Sequence, residues 1–375
     1  MPGETLPGDL KMLNPNAHKE IVFGIIGSGW RTEFYLRIAK ELPERFKVSG
    51  VVTRTEGTGR KIEEKFGVCT YRTIDELLNA TQIDFAVVSV PWKIAPVRTK
   101  ELVGRGIPVL TETPPAPDLD SLIEINKLTE LGAKIQVAEQ YHLQPLHAAR
   151  IAVVNSGKLG EISQVQISDC HGYHGISLMR KFLGIDFENA SITASKITTP
   201  LMDGPNREGG PREEKIIESQ QVIASFDFGG KYGIYDFTED QYFSWIRSKR
   251  LLVRGSQGEI TDMSVRYLKD FQTPIEYELK RVNMGEYGDL EGFGLKGILA
   301  GEEWIYTNTF TPGRLTDDEI AVAACLEKMY QYTKTGQDFY SLAEGSQDHY
   351  LSLMIDEAVR TGGKVKTDSL PWTVK

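Results

Sequence analysis

The sequence predicts an α/β protein in which a doubly wound N-terminal domain is followed by an α+β domain with a large, mostly antiparallel sheet. Between Glu20 and Gln140, short apolar runs alternate with helical patterns, as in parallel strands joined by crossover helices. Beyond Gln140, strand patterns follow one another with few helices between them. We therefore expect one domain over residues 20–141 and a second over residues 142–375.

The strand candidates of the first domain are dominated by Val, Ile or Phe, as expected of strands that are buried on both faces. They are Ile21–Gly27, Lys47–Thr53, Phe85–Val90, Pro108–Thr111 and Lys134–Ala138. Helical periodicity predicts the connecting helices Thr32–Glu41, Gly59–Phe66, Ile74–Asn79, Ala95–Gly104 and Leu119–Leu131.

The second domain begins with a predicted helix, Pro145–Asn155, and two further helices, Asp317–Thr333 and Leu342–Thr361, end the chain. The best strand candidates are Ile162–Ser168, Ile192–Ile197, Gln220–Phe228, Tyr232–Phe237, Arg250–Gly255 and Tyr277–Val282. A stretch rich in Pro, Gly and charged residues, Met202–Lys215, predicts a long excursion from the sheet.

Composition narrows the class of protein. The net charge of −9, without a basic patch, argues against nucleic acid or an anionic membrane surface as a partner. The three cysteines are widely spaced, which favours free thiols and a cytoplasmic location. Residues 1–19 are rich in Pro, Gly and Asn and predict a flexible arm.

The first strand is followed by a glycine-rich turn, Gly27-Ser28-Gly29, and a helix predicted to begin near Trp30. The first glycine permits the tight turn, and the second lets a pyrophosphate approach the backbone at the positive end of the helix. The pattern predicts a Rossmann domain that binds a dinucleotide through this turn and the neighbouring Trp30 and Arg31.

Five motifs occur in the order that is found in one family of oxidoreductases. They are Gly27-Ser28-Gly29, Val87-Val-Ser-Val90-Pro91-Trp92, Gly106-Ile-Pro-Val-Leu-Thr-Glu112-Thr113-Pro114, His174-Gly-Ile-Ser177-Leu-Met-Arg180-Lys-Phe-Leu-Gly184 and Arg254-Gly-Ser-Gln-Gly258. Together they resemble the Gfo/Idh/MocA family, named for glucose-fructose oxidoreductase and inositol dehydrogenase.

The resemblance implies a function as well as a fold. It implies hydride transfer between NAD(P) and a secondary hydroxyl or ketone of a sugar, polyol or derivative. It places Val90, Pro91, Trp92 and Glu112 at the cofactor, and it implies a homo-oligomer, either a dimer or a tetramer.

The sequence departs from the family pattern at positions that take part in the family's chemistry. The lysine of the family's Glu-Lys-Pro motif is replaced by Thr113, which cannot supply a cation to a developing alkoxide. Family aspartates on either side of the histidine are replaced by Cys170 and Ser177, so that only His174 remains of that set. Lys93 is a minor candidate to replace the missing lysine.

Histidine titrates near neutrality, so His174, His142 or His171 could exchange the substrate's hydroxyl proton. His174 is the first candidate because it begins the matched helix motif, and Tyr173 and Thr113 complete the catalytic candidates. The same histidines could instead hold a divalent metal, but no tight ligand motif is present, so no metal site is predicted.

The second strand indicates the choice of cofactor. In dinucleotide folds, an acidic residue at the end of this strand binds the ribose hydroxyls of NAD and repels the 2′-phosphate of NADP. Here the strand ends in Thr53-Arg54-Thr55, and Arg54 suits a 2′-phosphate. We favour NADP, while nearby Glu56 leaves NAD open.

Two other functions stay open. A tightly held cofactor that oxidises a glycoside transiently would give a hydrolase or lyase without net redox change. The replacement of lysine by Thr113 also leaves open a regulatory protein that binds a dinucleotide without turnover.

Overall fold

The computed structural model describes residues 20–286 and 289–373, so the predicted arm over residues 1–19 lies outside the described residues. It contains one parallel sheet and one larger, mostly antiparallel sheet. The predicted fold class is confirmed.

The helices closely follow the predicted ones. They are α1 (Thr32–Glu41), α2 (Glu56–Phe66), α3 (Ile74–Ala80), α4 (Ala95–Val103), α5 (Leu119–Glu130), α6 (Pro145–Asn155), α7 (Gly172–Leu183), α8 (Asp317–Thr335) and α9 (Leu342–Thr361). Side-chain caps at Thr55, Thr73, Asp118, Thr316 and Ser341 accept a hydrogen bond from a backbone N–H three residues later.

The first sheet has six parallel strands in the order β3-β2-β1-β4-β5-β6. They are β1 (Ile21–Ile26), β2 (Phe46–Val52), β3 (Thr70–Tyr71), β4 (Phe85–Val88), β5 (Val109–Thr111) and β6 (Ile135–Val137). Strand order reverses between β1 and β4, so the carboxyl ends of these two strands border the crevice in which doubly wound folds bind ligands.

The second sheet has eleven strands in the order β16-β15-β14-β13-β12-β11-β7-β10-β9-β8-β17. They are β7 (Ile162–Ser168), β8 (Ser191–Met202), β9 (Ile216–Asp227), β10 (Tyr232–Thr238), β11 (Arg250–Gly255), β12 (Gly258–Thr261), β13 (Ser264–Asp270), β14 (Thr273–Glu286), β15 (Asp289–Ala300), β16 (Glu303–Thr307) and β17 (Val365–Lys366). Among the described strands of this second sheet, only β7 and β10 pair in parallel. Helices α7 and α9 cover one face of the sheet.

Several elements differ from the sequence predictions. The predicted strands omit β3, β12, β13, β15, β16 and β17, which are short, polar or rich in glycine. Helix α1 has the predicted range Thr32–Glu41. A tight turn precedes it, because the carbonyls of Gly29, Trp30 and Arg31 accept hydrogen bonds from amides only three residues ahead.

Helix α8 connects the two parts of the chain. Although it lies late in the sequence, Ile320 and Leu326 share one hydrophobic core with Phe23 and Phe85 of the first sheet. The C-terminal part of the chain thereby packs directly on the parallel sheet. The division at residues 141 and 142 stays a prediction.

Candidate active site

The turn after β1 has the geometry that the glycine pattern predicts. Gly27 has a φ of +120°, and a Cβ atom there would lie 1.9 Å from the carbonyl oxygen of Ser89. Gly29 differs, since a Cβ there would have no atom within 4 Å. Gly27 is thus required by the fold, whereas Gly29 leaves open space at the start of α1. The Thr32 hydroxyl binds Ser89 Oγ at 3.3 Å across the turn.

Two arginines, one from the end of β2 and one from the end of β3, meet the backbone at the end of β2. Arg54 is exposed at the strand end. Arg72 donates to the side chain and carbonyl of Thr53 and to the carbonyl of Thr55. A Cβ on Gly59 would lie 2.4 Å from Arg72 Nη2, so this glycine leaves room for the guanidinium. Arg72, which the sequence reasoning missed, builds the strand end on which Arg54 is carried.

The acidic residue nearest this strand end is already paired. Glu56 accepts a hydrogen bond from Arg60 one helical turn later, and this bond lowers the pKa of Glu56. The neighbouring charge is therefore balanced within α2. Among the described residues, no carboxylate lies within 4.0 Å of the Arg54 guanidinium at the end of β2.

Arg31 and Glu112, both predicted at the cofactor, bind one another. Arg31 Nε lies 3.2 Å from Glu112 Oε1, and Arg31 Nη1 lies 2.6 Å from Asp318 Oδ2 of α8. Tyr35 donates a 2.5 Å hydrogen bond to Glu112. Burial opposes the charge of Arg31, but the two carboxylates outweigh it and raise the pKa of the guanidinium. This cluster fixes the nucleotide turn to β5 and α8.

Asp318 also fixes the segment that connects the two sheets. Its Oδ1 atom accepts hydrogen bonds from Gln140 Nε2 at 3.2 Å and Gln144 Nε2 at 3.1 Å. One buried carboxylate thus holds both the nucleotide turn and the crossing between the sheets.

Histidine and tyrosine side chains converge where α7 begins. His171 Nδ1 lies 2.6 Å from the hydroxyl of Tyr242, and His171 Nε2 lies 3.3 Å from the hydroxyl of Tyr173. The ring of His174 lies 4.4 Å from the rings of both Tyr141 and Tyr173, centroid to centroid. Of the candidate histidines, the structure brings His171 and His174 together, with ring centroids 5.0 Å apart.

His174 is held by a carboxylate that the sequence reasoning missed. Its Nδ1 atom lies 2.6 Å from Oε2 of Glu139, which follows β6. Oε1 of the same carboxylate accepts the backbone N–H of Tyr141 at 3.0 Å. Among the described residues nothing hydrogen-bonds to His174 Nε2. The imidazole therefore keeps one ring nitrogen available to a ligand.

Burial sets the protonation of this pair. Burial raises the pKa of Glu139 to about 8, and burial together with the Arg31 charge lowers the pKa of His174 to about 3. Below about pH 8 the pair is therefore uncharged overall and carries two protons. One lies in the hydrogen bond between Glu139 Oε2 and His174 Nδ1, and the other is on Nε2 of His174, because Oε1 of Glu139 already accepts the Tyr141 N–H.

Aromatic rings form one wall beside the pair. Trp92, which is 48% exposed, meets Tyr173 edge-on at 6.1 Å and His349 at 6.3 Å. The Tyr173 hydroxyl donates to the carbonyl of Thr113 at 3.3 Å, so this wall joins the first sheet to α7. Thr113 meets the cluster through its backbone, and nothing in this contact replaces the family lysine.

Two predicted catalytic residues lie outside the cluster. His142 packs on the ring of Tyr340, 5.1 Å between centroids, and its Nδ1 atom is buried without a partner in the described chain. Lys93 is exposed in the turn after β4. The structure brings neither side chain to His174, so a catalytic role for either has no geometric support.

The described residues contain neither a candidate metal site nor a candidate membrane-spanning helix. No group of three or more His, Cys, Asp and Glu side chains there is placed to hold a metal ion. Within the same residues, no helix has both the length and the apolar character that crossing a lipid bilayer requires.

The part of the chain that forms the first sheet matches a known protein family. Residues 21–140 match the family model GFO_IDH_MocA, described as an oxidoreductase family with an NAD-binding Rossmann fold. The N-terminal domain is a Gfo/Idh/MocA domain. The family resemblance drawn from the five motifs is confirmed.

Matches to individual proteins extend beyond residues 21–140. The chain is 28% identical to the uncharacterized protein YMR315W of Saccharomyces cerevisiae over 271 residues, which are 64% of this chain and 72% of the yeast protein. An oxidoreductase from Agrobacterium radiobacter, solved with NAD⁺, L-tartaric acid and magnesium, matches with a TM-score of 0.65 and 15% identity, over 92% of this chain and 98% of its own.

A myo-inositol dehydrogenase from Corynebacterium glutamicum matches with a TM-score of 0.63 and 17% identity, over 93% of this chain and 99% of its own. At these identities, the likeness to solved structures supports the fold of both parts of the chain.

The Gfo/Idh/MocA domain fits a nicotinamide dinucleotide. The space in front of Gly29 is where a pyrophosphate would lie, at the start of α1. Gly27, Ser28 and Gly29 would hold the phosphates, with Thr53 and Arg54 at the adenosine ribose. The turn of Val90, Pro91 and Trp92 would lie beside the nicotinamide, next to the histidine cluster.

Among the site residues missed by sequence reasoning, only Glu139 had a usable signal. It follows a predicted strand of the parallel sheet, so it lies at the same carboxyl edge as Gly27 and Glu112. Tyr242, Asp318 and His349 reach the site from distant parts of the second domain. No spacing in the sequence indicates their positions.

Proposed function

We propose that this protein is an NADP- or NAD-dependent oxidoreductase that interconverts a secondary hydroxyl and a ketone on a sugar, polyol or derivative. The observation that supports this most directly is the pair of Glu139 and His174 beside the cofactor crevice. The pair presents a ring nitrogen without a protein partner to that crevice. An acid–base group next to a hydride acceptor is what reversible hydroxyl oxidation requires.

In oxidation, the C–H bond breaks and its electron pair leaves with the hydrogen as a hydride, for which a bound nicotinamide would be the two-electron acceptor. The O–H proton passes to Nε2 of His174, which can accept it when Glu139 is ionised and Nδ1 holds the proton of their hydrogen bond. The O–H electron pair completes the C=O bond. In reduction, the nicotinamide would be the hydride donor, and His174 returns the proton to the oxygen.

Glu139 has a positioning role in this proposal. Its carboxylate binds Nδ1 and so leaves Nε2 as the nitrogen of His174 that can meet a ligand. When ionised, it stabilises the imidazolium that forms as His174 accepts the proton. Because Thr113 carries no charge, His174 and Glu139 take the whole of the proton transfer that the family lysine would share.

His171 is less suited to the same task. Both of its ring nitrogens have hydroxyl partners, Tyr242 and Tyr173. Burial and the charge of His174 lower its pKa to about 3. We assign His171 to the support of the aromatic wall rather than to proton transfer.

NADP is the proposed cofactor of choice. Arg54 is exposed at the end of β2, and Glu56, which would favour NAD, is paired with Arg60. A guanidinium group can bind a 2′-phosphate through two parallel hydrogen bonds.

The proposed assembly is a homo-oligomer, and its mass can be measured by light scattering during gel filtration.

The test is turnover measured by nicotinamide absorbance, with NADP or NAD and a panel of sugars, polyols and glycosides. For the active substrate, His174→Asn should reduce kcat by about 10²-fold to 10⁴-fold. The matched control is His147→Asn, because His147 is also buried against a carboxylate, 3.3 Å from Asp169, and has no proposed catalytic role.

The outcomes separate the alternatives. Equal losses in the His174 and His147 variants would mean that His174 acts only through folding. Product without net change in absorbance would indicate the internal-redox hydrolase or lyase. Cofactor binding without any turnover would favour a regulatory protein.

A further inference from the structure

We propose that Arg207 binds an anionic group of the substrate, so that the preferred substrate is a sugar acid or sugar phosphate rather than a neutral sugar. This deepens the proposed function and rests on it. The assignment rests on the position, the contacts and the charge of Arg207.

Arg207 is held at the tip of a built turn. The backbones of Asn206 and Gly209 exchange two hydrogen bonds, of 2.9 and 3.1 Å, within the loop between β8 and β9. Gly209 has a φ of +124°, and the Asn206 side chain accepts the backbone N–H of Glu208 at 2.7 Å. Arg207 and Glu208 are therefore the two tip residues of a short hairpin.

The tip reaches from the second sheet to the nucleotide turn. The guanidinium of Arg207 lies 4.1 Å from the ring centroid of Trp30, which directly follows Gly29. Stacking on tryptophan leaves the edges of a guanidinium free to donate hydrogen bonds. The loop therefore carries a cation across the crevice to the side of the cofactor.

The same cation lies near the histidine cluster. Its charge contributes to the lowered pKa of His171, after burial and His174. Arg207 thus contacts the residue that follows the nucleotide turn and acts through its charge on His171 of the histidine cluster, the two sides of the crevice in which we place the substrate.

The charge of Arg207 is not balanced by the protein. Within the described residues, no carboxylate lies within 4.0 Å of its guanidinium, whereas Arg31 nearby has both Glu112 and Asp318. An exposed guanidinium that stacks on tryptophan and has no carboxylate partner is suited to a carboxylate or a phosphate.

The experiment compares acidic ligands with their neutral counterparts. Binding to the cofactor-loaded protein is measured by calorimetry for D-glucuronate against D-glucose, D-gluconate against D-sorbitol, and D-glucose 6-phosphate against D-glucose. We expect at least one acid to bind more tightly than its neutral counterpart. The two carboxylates and the phosphate show which anionic group is preferred.

The variants then test the residue. Arg207→Gln should weaken binding of the preferred acid by about tenfold to a hundredfold, since it removes a charge-assisted hydrogen bond. Arg207→Lys should recover part of the loss. Arg212→Gln, in the same loop and also exposed, is the matched control and should bind like the parent.

Three results would overturn the proposal. The first is that no acid binds better than its neutral counterpart. The second is that Arg207→Gln leaves acid binding unchanged. The third is that Arg207→Gln weakens the cofactor as much as the acid, which would assign Arg207 to the cofactor. Binding is measured without turnover, so acid binding through Arg207 with no effect of His174→Asn on kcat would refute the proposed chemistry alone.

Discussion

Nδ1 of His174 and Oε2 of Glu139 lie 2.6 Å apart, although 35 positions separate the two residues in sequence. Glu139 follows the last strand of the parallel sheet, and His174 lies in the first turn of α7 in the second domain. The hydrogen bond therefore joins the two parts of the chain at the crevice. It gives a buried pair whose protonation can be tested.

The pH dependence of catalysis should follow Glu139. Below about pH 8 this side chain holds a proton, and above it the carboxylate stabilises the imidazolium that oxidation produces. We expect kcat/KM for hydroxyl oxidation to rise as pH increases through about 8, and kcat/KM for ketone reduction to fall. Glu139→Gln should flatten both profiles, measured with a thermal unfolding control. If the Glu139→Gln variant keeps the same pH dependence, a group other than Glu139 must be responsible for it.

The two glycines of the nucleotide turn should respond differently to alanine. Gly27→Ala should lower the free energy of unfolding by at least about 2 kcal/mol, because its φ is positive and its Cβ would strike Ser89. Gly29→Ala should leave the stability of the cofactor-free protein unchanged and abolish the rise in melting temperature on adding cofactor.

The control for the glycine pair is Gly57→Ala in α2, which also adds a methyl group to open space. It should keep the response to cofactor. An undiminished cofactor response in Gly29→Ala would show that the pyrophosphate lies elsewhere.

Arg54 should set the choice between the two cofactors. Arg54→Ala should raise the dissociation constant for NADP about tenfold or more and change that for NAD little, since only NADP carries the 2′-phosphate. Lys61→Ala removes a positive charge from α2, the helix that follows β2, and serves as a control for a general loss of positive charge. If the parent protein binds NAD much more tightly than NADP, the proposed preference is wrong.

Arg31 should be far more important for stability than its helix neighbour Arg37. Arg31→Met leaves the partly buried Glu112 and Asp318 without their cation, which should cost about 3 kcal/mol in the free energy of unfolding, the low end for a buried pair. Arg37→Met breaks an ion pair with Glu319 whose arginine is 40% exposed, and should cost no more than about 1 kcal/mol. Denaturant unfolding measures both, and equal losses would contradict a special role for the buried cluster.

Much of the fold is predictable because it depends on local patterns. The apolar runs of β1, β2 and β4 have few alternatives to burial in a parallel sheet, and the caps at Asp118 and Ser341 mark helix starts. Strands such as β13, with its polar and charged residues, are formed by pairing with neighbours rather than by their own composition. They were missed for that reason.

By itself, the sequence determined the nucleotide turn, the family of the first domain and the candidate His174, because each depends on residues that are close in the chain. The tertiary structure alone decided that Glu139 supports His174 and that Asp318 anchors the nucleotide turn. It also brought Arg207 to Trp30 and left His142 and Lys93 outside the cluster. These relationships depend on how a parallel sheet and a distant antiparallel sheet pack together, and no local spacing encodes that packing.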